Sequence, residues 1–140
     1  MAKILIVDDE PSILDMLKAL LRTDGHDVTP ALGGVKAKEV LDKIESGNFD
    51  LMISDIRMNP INGMDLLRIA RELHPTMSVI MLTAYGQVET AIEALQLGAF
   101  DYIAKPFKVD TLLGTIHRAL QARSLMEEQQ PEQGSSAARP

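Results

Sequence analysis

The chain has 140 residues, a formal net charge of −6 and 46% hydrophobic residues, of which few are aromatic. This length fits one domain with an aliphatic core, since domains commonly hold roughly 100–150 residues. The acidic balance argues against a nucleic-acid surface built on basic residues, and the absence of cysteine excludes disulfides and thiolate metal sites. No apolar run approaches the roughly 20 residues of a membrane span, and no signal peptide is recognisable, so we expect a cytoplasmic protein without membrane or nucleic-acid contact.

Five short apolar runs alternate with five amphipathic stretches. The runs predict strands at 4–7, 28–31, 51–53, 79–82 and 102–104. Stripes with the spacing of one helix face predict helices around 13–21, 37–44, 66–73, 88–95 and 113–120. Three of the runs lack polar alternation, as strands of a parallel sheet do when both faces are buried. Five strand–helix units in series predict an α/β protein with a doubly wound, five-stranded parallel sheet.

Prolines and glycines mark the predicted boundaries. Pro11 suits the first position of a helix. Gly25, Gly47 and Gly98 lie where helix ends favour a left-handed residue. Pro30 cannot donate to a strand ladder, which predicts that the second strand lies at an edge of the sheet.

The end of the chain has a different composition. We expect the folded domain to occupy 1–122, and 123–140 to be a helical extension followed by a disordered tail or linker. From about Gln129 the chain is rich in Gln, Pro, Gly and Ser and has almost nothing apolar to bury.

Polar side chains follow four of the five strands. Asp8 and Asp9 follow the first strand, Asp55 the third, Thr83 the fourth and Lys105 the fifth. In an open parallel sheet these positions meet at the carboxyl edge, where such folds bind ligands. Each residue alone has an ordinary explanation, such as helix capping or a solvated surface charge. Their occurrence together at the ends of four strands favours a ligand-binding site.

Three carboxylates at one edge would repel one another unless a cation binds between them. Oxygen ligands favour a hard ion, and Mg²⁺ needs only a few carboxylates. One carboxylate could then attack phosphorus to form an aspartyl phosphate, with Lys105 and Thr83 stabilising the transferred oxygens. Other candidates are weaker: the three histidines have no spacing typical of a metal site and are interpreted as surface residues, and several methionines as core or turn filler.

Four motifs in order resemble the receiver domains of two-component response regulators, over about residues 3–120. They are ILIVDDEP at 4–11, SDIRM at 54–58 with NG at 62–63, MLTA at 81–84, and GAFDY at 98–102 leading into KPF at 105–107. The resemblance implies a flavodoxin-like (βα)5 fold with strand order 2-1-3-4-5.

The resemblance also implies metal-binding roles. Asp55 would be the phosphoacceptor, and Asp9 and Asp55 would bind Mg²⁺ directly together with the backbone carbonyl of Arg57. Asp8 would act partly through water. One departure is Asn59, which stands where the family usually has proline, and it predicts an altered turn beside Asp55.

The remaining implied roles concern the phosphoryl group and the switch. Thr83, Lys105 and the backbone N–H of Ala84 would hold the phosphoryl oxygens. Tyr102 would turn inward when Thr83 moves, and the surface around the fourth helix, fifth strand and fifth helix would change. The segment 83–95 resembles receivers of transcription activators that carry an ATPase module.

The implied partners are a sensor histidine kinase and an output domain or partner protein. Leu125 and Met126 could support a phosphorylation-dependent homodimer. We expect a signalling domain rather than an enzyme, one that catalyses only its own phosphorylation and dephosphorylation.

Three other functions fit the sequence less well. A haloacid dehalogenase-type phosphatase wants a second aspartate two residues after the first, but position 10 is Glu10. A flavin-binding module would find anions where its phosphate must bind. A receiver-like scaffold that works without phosphate would have no reason to tolerate so many neighbouring carboxylates.

Overall fold

The structure is a computed structural model that describes residues 2–45, 48–84 and 88–129; the side chains of residues 88 and 126–129 are not described. It contains the five strands and five helices that the apolar pattern predicts. In chain order they are β1 (Lys3–Asp8), α1 (Pro11–Thr23), β2 (Asp27–Leu32), α2 (Gly34–Lys43), β3 (Leu51–Asp55), α3 (Gly63–Leu73), β4 (Ser78–Thr83), α4 (Val88–Gln96), β5 (Asp101–Ala104) and α5 (Val109–Gln129).

The five strands form one parallel sheet with the order β2-β1-β3-β4-β5, which confirms the predicted topology. Pro30 therefore lies on an edge strand, as its missing N–H requires. In the register of the sheet, Asp55 pairs with Leu82 and Thr83 with Ala104. The last residues of β3, β4 and β5 consequently lie close together at the carboxyl edge.

Alternate residues of the strands supply two separate cores. Leu5, Met52 and Met81 point to the face covered by α2, α3 and α4. Ile4 and Leu82 point to the opposite face, which α1 and α5 cover. Because both faces are covered, the central strands are apolar along nearly their whole length, and methionine fills space that aromatic residues often fill.

Three helix termini have the residues that the sequence predicts there. Pro11 is the first residue of α1, and Gly25 and Gly98 have φ angles of 91° and 109° just after α1 and α4. The left-handed conformation at both positions favours glycine. Gly47 lies outside the described residues.

Parts of the predicted inward faces are wrong. The predicted stripe of α4 consists of Val88, Ala91, Ile92 and Leu95, but Ile92 and Leu95 are 47% and 39% exposed, and α4 packs through Ala91 and Ala94. Leu73, which belongs to the predicted stripe of α3, is 42% exposed.

The prediction that the three histidines lie at the surface is confirmed for His117 alone. His74 is buried and its Nε2 lies 2.8 Å from the carbonyl oxygen of Leu41, and the side chain of His26 is only 9% exposed. Within the described ranges, no helix is both long enough and apolar enough to cross a membrane.

Candidate functional site

Three carboxylates meet at the carboxyl edge of the sheet. Asp8 ends β1, Asp9 follows it and Asp55 ends β3, and one carboxylate oxygen from each lies within 4.8 Å of the others. Asp8 is fully buried and Asp55 nearly so, while Asp9 is exposed. The site is therefore open to solvent on one side, and its oxygen ligands fit a divalent metal ion.

Lys105 supplies the opposite charge. Its Nζ lies 3.0 Å from Oδ2 of Asp8 and 3.4 Å from Oδ2 of Asp55. The backbone N–H of Lys105 donates to the carbonyl oxygen of Thr83 over 2.7 Å, which holds the end of β5 against the end of β4. Thr83 is buried at the end of β4. The structure thus brings together Asp8, Asp9, Asp55, Thr83 and Lys105 at one edge, as predicted.

The protonation of Asp55 reflects this environment. Burial raises the pKa of the Asp55 carboxyl and the charges of Asp8 and Asp9 raise it further, while Lys105 opposes the shift without cancelling it. Burial alone would lower the pKa of Lys105, but the hydrogen bond to Asp8 and the charge of Asp55 outweigh it and raise this pKa. The ammonium group is therefore held in its charged form, whereas the ionised form of Asp55 carries a desolvation penalty.

Neither Asp8 nor Asp9 is the capping residue of α1. The N-cap is Glu10, whose side chain makes no capping hydrogen bond. One oxygen of Asp8 instead accepts from the backbone N–H of Glu10 over 3.0 Å, and its other oxygen faces Lys105. The carbonyl oxygen of Asp8 accepts from the N–H of Gly33 over 2.8 Å. This carboxylate is thus fixed in orientation on both sides.

The loop between β3 and α3 is packed closely against its neighbours. A Cβ atom at Gly63 would collide with the carbonyl oxygen of Asp55, and one at Gly34 would collide with the carbonyl oxygen of Ile61. Gly34 was not identified from the sequence, because nothing in the pattern around it indicates a contact with residue 61. Arg57 lies in this loop with an exposed side chain; the role of its carbonyl as a metal ligand stays a prediction.

Tyr102 lies on β5 and is half-buried against the core on the α4 side of the sheet. Its backbone N–H donates to the side chain of Asp101 over 2.8 Å. Tyr102 and Thr83 lie on neighbouring strands, since Tyr102 pairs with Met81. The coupled movement of these two side chains stays a prediction.

Comparison with known sequences gives a consistent family. The family model for the response regulator receiver domain matches residues 4–117. Transcriptional regulatory protein ZraR of Escherichia coli K12 is 41% identical over 117 residues, which cover 84% of this chain and 26% of that protein. Regulatory protein AtoC of the same strain is 40% identical over 126 residues, which cover 90% and 27%. The chain thus spans only about a quarter of these relatives.

Solved structures give the same result. A response regulator receiver domain protein from Clostridium thermocellum matches with a TM-score of 0.85 and 36% identity, covering 90% of this chain and 99% of that one. NtrX from Brucella abortus in complex with ADP matches with a TM-score of 0.83 and 34% identity, covering 91% and 29%. The strand order, the carboxylates at the sheet edge and the family match agree, and the chain belongs to the response regulator receiver domain family, the phosphoacceptor signalling domains of two-component systems.

Proposed function

We propose that Asp55 accepts a phosphoryl group from a sensor histidine kinase. The observation that carries this proposal is the position of Asp55, nearly buried at the end of β3, with its carboxylate beside two others and 3.4 Å from the Lys105 ammonium. The other two carboxylates are less suitable as the phosphoacceptor. Asp8 is fully buried and bonded at both oxygens, and Asp9 is open to water.

In the proposed transfer, an oxygen of the Asp55 carboxylate attacks the phosphorus of a phosphohistidine. A phosphorus–oxygen bond forms as the phosphorus–nitrogen bond breaks, and that electron pair returns to the imidazole nitrogen. Lys105 places its positive charge against the transferred oxygens, and the hydroxyl of Thr83 donates a hydrogen bond to one of them. The Lys105 ammonium already lies beside Asp8 and Asp55, whereas Thr83 would move towards the phosphoryl group.

We propose Mg²⁺ as the metal, with Asp8, Asp9, Asp55 and the carbonyl of Arg57 as the residues that hold it. Three oxygen donors without nitrogen or sulfur fit this hard ion, and the open side leaves room for water and a phosphoryl oxygen. When bound, Mg²⁺ supplies the positive charge that offsets the carboxylates and the incoming phosphoryl oxygens.

Phosphorylation would be read out at the surface formed by α4, β5 and α5. Thr83 lies between Asp55 and this surface, and Tyr102 lies on β5 beside it. Ile92, Leu95 and Phe100 are exposed apolar side chains there, which suits a partner surface. The proposed change is a shift of an existing equilibrium between two arrangements rather than a new fold.

The output is proposed to be transcriptional and cytoplasmic. The relatives are named as transcriptional regulators, and NtrX was crystallised with ADP and with ATP. These names support an output domain of the transcription activators that carry an ATPase module. The chain itself would take up one phosphoryl group and release it, without turnover of a general substrate and without touching nucleic acid.

The proposed division of the chain is a receiver domain over 1–122 and a helical extension with a tail or linker over 123–140. The helix α5 continues through this boundary to Gln129. The residues after 129 lie outside the described ranges.

Beryllofluoride tests the site, because it is a stable mimic of a phosphoryl group on a carboxylate. Fluorine NMR of the protein with beryllofluoride and Mg²⁺ should give bound resonances. They should vanish when Mg²⁺ is removed with a chelator and in the Asp55→Asn variant. Bound resonances that persist in Asp55→Asn would show that another group accepts the ligand, and the proposal would be wrong.

A further inference from the structure

A second polar cluster lies near the amino ends of the strands, whereas Asp55 lies at their carboxyl ends. Oδ2 of Asp24 lies 3.0 Å from Nε2 of His26 and 2.8 Å from Nε2 of His117. The three ligand atoms lie within 4.8 Å of one another. The sequence showed no metal spacing among the histidines, because His117 is 93 residues from Asp24 and only the fold brings them together.

The turn after α1 places two of these side chains together. The N–H of Gly25 donates to the carbonyl of Arg22, and the N–H of His26 donates to the carbonyl of Leu21, both within 3.1 Å. With the left-handed Gly25 between them, these bonds form a Schellman motif, which directs Asp24 and His26 to the same side. The third residue, His117, comes from α5, which packs on the same face of the sheet as α1.

Without a metal, the cluster is a satisfied hydrogen-bond network. The backbone N–H of Ala2 donates to Nδ1 of His26 over 3.3 Å, so this ring carries its proton on Nε2 and donates to Asp24. His117 makes the corresponding contact from an exposed position. The simple explanation is a structural link between the α1–β2 turn and α5.

We propose that Asp24, His26 and His117 also form a binding site for a divalent transition metal ion of the zinc type. Two imidazole nitrogens and one carboxylate oxygen are the ligand set of many three-residue zinc sites, and this set discriminates against Mg²⁺. The cluster is therefore chemically distinct from the oxygen-only site around Asp55.

The distances suit such an ion. Neighbouring ligand atoms in a tetrahedral zinc site are separated by about 3.3 Å, since each lies about 2.0–2.1 Å from the metal. Nε2 of His26 and of His117 are 3.0 and 2.8 Å from the Asp24 oxygen, a few tenths of an ångström less than this separation, and the two Nε2 atoms lie within 4.8 Å of each other. Small side-chain movements would therefore be needed to reach the tetrahedral separation. The cluster also lies at the carboxyl end of α1, where the helix dipole favours a cation.

Metal binding would require a change of tautomer. Each imidazole must present the lone pair of Nε2, so its proton moves to Nδ1. His117 is 56% exposed, so water can accept a hydrogen bond from its Nδ1–H. At His26, Nδ1 now faces the N–H of Ala2, which must turn away when the ring carries a proton there. The NMR signal of the Ala2 amide should therefore shift when the metal binds, whereas a cluster with a structural role alone would give no such shift.

The test is a Zn²⁺ titration of the full chain in the presence of excess Mg²⁺, followed by amide NMR and by competition with a chromophoric chelator. We expect the amides of Ala2, Asp24, His26 and His117 to shift. The His117→Gln variant should bind Zn²⁺ at least roughly tenfold more weakly, since it loses one ligand of three. Asp24→Asn should weaken binding in the same direction.

Two controls separate this site from the one around Asp55. Gln121→Ala changes an exposed residue one turn further along α5, and Asp55→Asn removes a ligand of the acidic site; neither should change the Zn²⁺ affinity. Equal affinity in the wild type and His117→Gln would overturn the proposal. So would shifts confined to the residues around Asp8, Asp9 and Asp55, or the absence of any shift at the cluster.

Discussion

At the scale of single residues, the ionised Asp55 is unfavourable in the metal-free protein. Its pKa is raised from the ordinary value of 3.8, so the stability that depends on this group is present at low pH and is lost as pH rises through the raised pKa. At neutral pH, Asp55→Asn should therefore stabilise the metal-free protein, because the amide carries no charge that must be desolvated. Urea unfolding in the presence of a chelator measures this.

Mg²⁺ should reduce or reverse the greater stability of Asp55→Asn over the wild type, because an ion that binds only the folded wild type stabilises it by mass action. Asp15→Asn is the control, since it removes an exposed carboxylate from α1 and should change stability little. A less stable Asp55→Asn variant in the chelator would show that the ion pair with Lys105 outweighs burial and repulsion.

The residues of the acidic site were predictable because each one stands at the end of a strand or directly after it. A parallel sheet then places Asp8, Asp55 and Thr83 at one edge whatever the loops do. The grouping of Asp24 with His117 and the burial of His74 were not predictable in this way. Both depend on how helices pack against each other across long sequence separations, which a local pattern does not contain.

At the scale of elements, the start of α2 supports the loop beside Asp55. Gly34 is buried with no room for a Cβ atom against the backbone of Ile61. Gly34→Ala should therefore shift the segment that leads from Asp55 to Gly63. We expect a loss of about 1–3 kcal/mol in stability, as for overpacking, together with weaker Mg²⁺ binding.

Gly114→Ala is the matched control for this prediction. Gly114 lies within α5, and a Cβ atom there would meet only the end of the Arg118 side chain at 3.6 Å. The Gly114→Ala substitution should stabilise the protein by about 0.5–1 kcal/mol, because alanine has a higher helix propensity than glycine. The prediction for Gly34 fails if both variants have the same stability and the same Mg²⁺ affinity by calorimetry.

Helix positions were predictable, but the inward face of α4 was not. The predicted stripe includes Ala91, which is buried, but also Ile92 and Leu95, which are exposed, whereas the small Ala94 outside the stripe is buried against the sheet. Small side chains allow α4 to lie close to the sheet, and the larger ones remain available at the surface. Residue size in a tight helix–sheet contact therefore decided the outcome over hydrophobicity.

At the scale of the whole molecule, Arg123 connects α5 to residues near the starts of β3 and β4, although it lies just beyond the predicted domain boundary at 122. Its Nε donates to the carbonyl of Thr76 over 2.9 Å, and its guanidinium lies 2.8 Å from Asp50, with the side chain only 13% exposed. Arg123→Ala should cost about 1–2 kcal/mol, because it removes partly buried, charge-assisted hydrogen bonds. Thermal unfolding measures the change.

Arg118→Ala is the control on the same helix. Arg118 pairs with Asp101 at 3.8 Å, but its side chain is 61% exposed, so its loss should cost less than about 0.5 kcal/mol. If Arg123→Ala is equally harmless, the contacts of Arg123 do not stabilise the domain, and the prediction is wrong.

Phosphorylation-dependent association is a prediction for the assembled molecule. Leu125 is 50% exposed on α5, and α4 adds the exposed Ile92 and Leu95. We expect analytical ultracentrifugation to detect a dimer with beryllofluoride and Mg²⁺, and a monomer in Asp55→Asn under the same conditions. A monomer in both samples would contradict the prediction.

The overall fold was the most predictable level, because five strand–helix units in series leave few arrangements of a parallel sheet. Pro30 independently indicated the edge strand, which the order β2-β1-β3-β4-β5 confirms. The complete strand order came from the family resemblance, since strand periodicity does not specify which strands are neighbours.

Phosphorylation of Asp55 is tested by the intact mass of the protein after incubation with Mg²⁺ and a small acyl phosphate. The wild type should gain one phosphoryl group, and this gain should be lost without metal and in the Asp55→Asn variant. A phosphoryl group that Asp55→Asn still acquires would contradict it. A second result would also contradict it. In that result the wild type gains no mass from the acyl phosphate and binds beryllofluoride with Mg²⁺ at a residue other than Asp55.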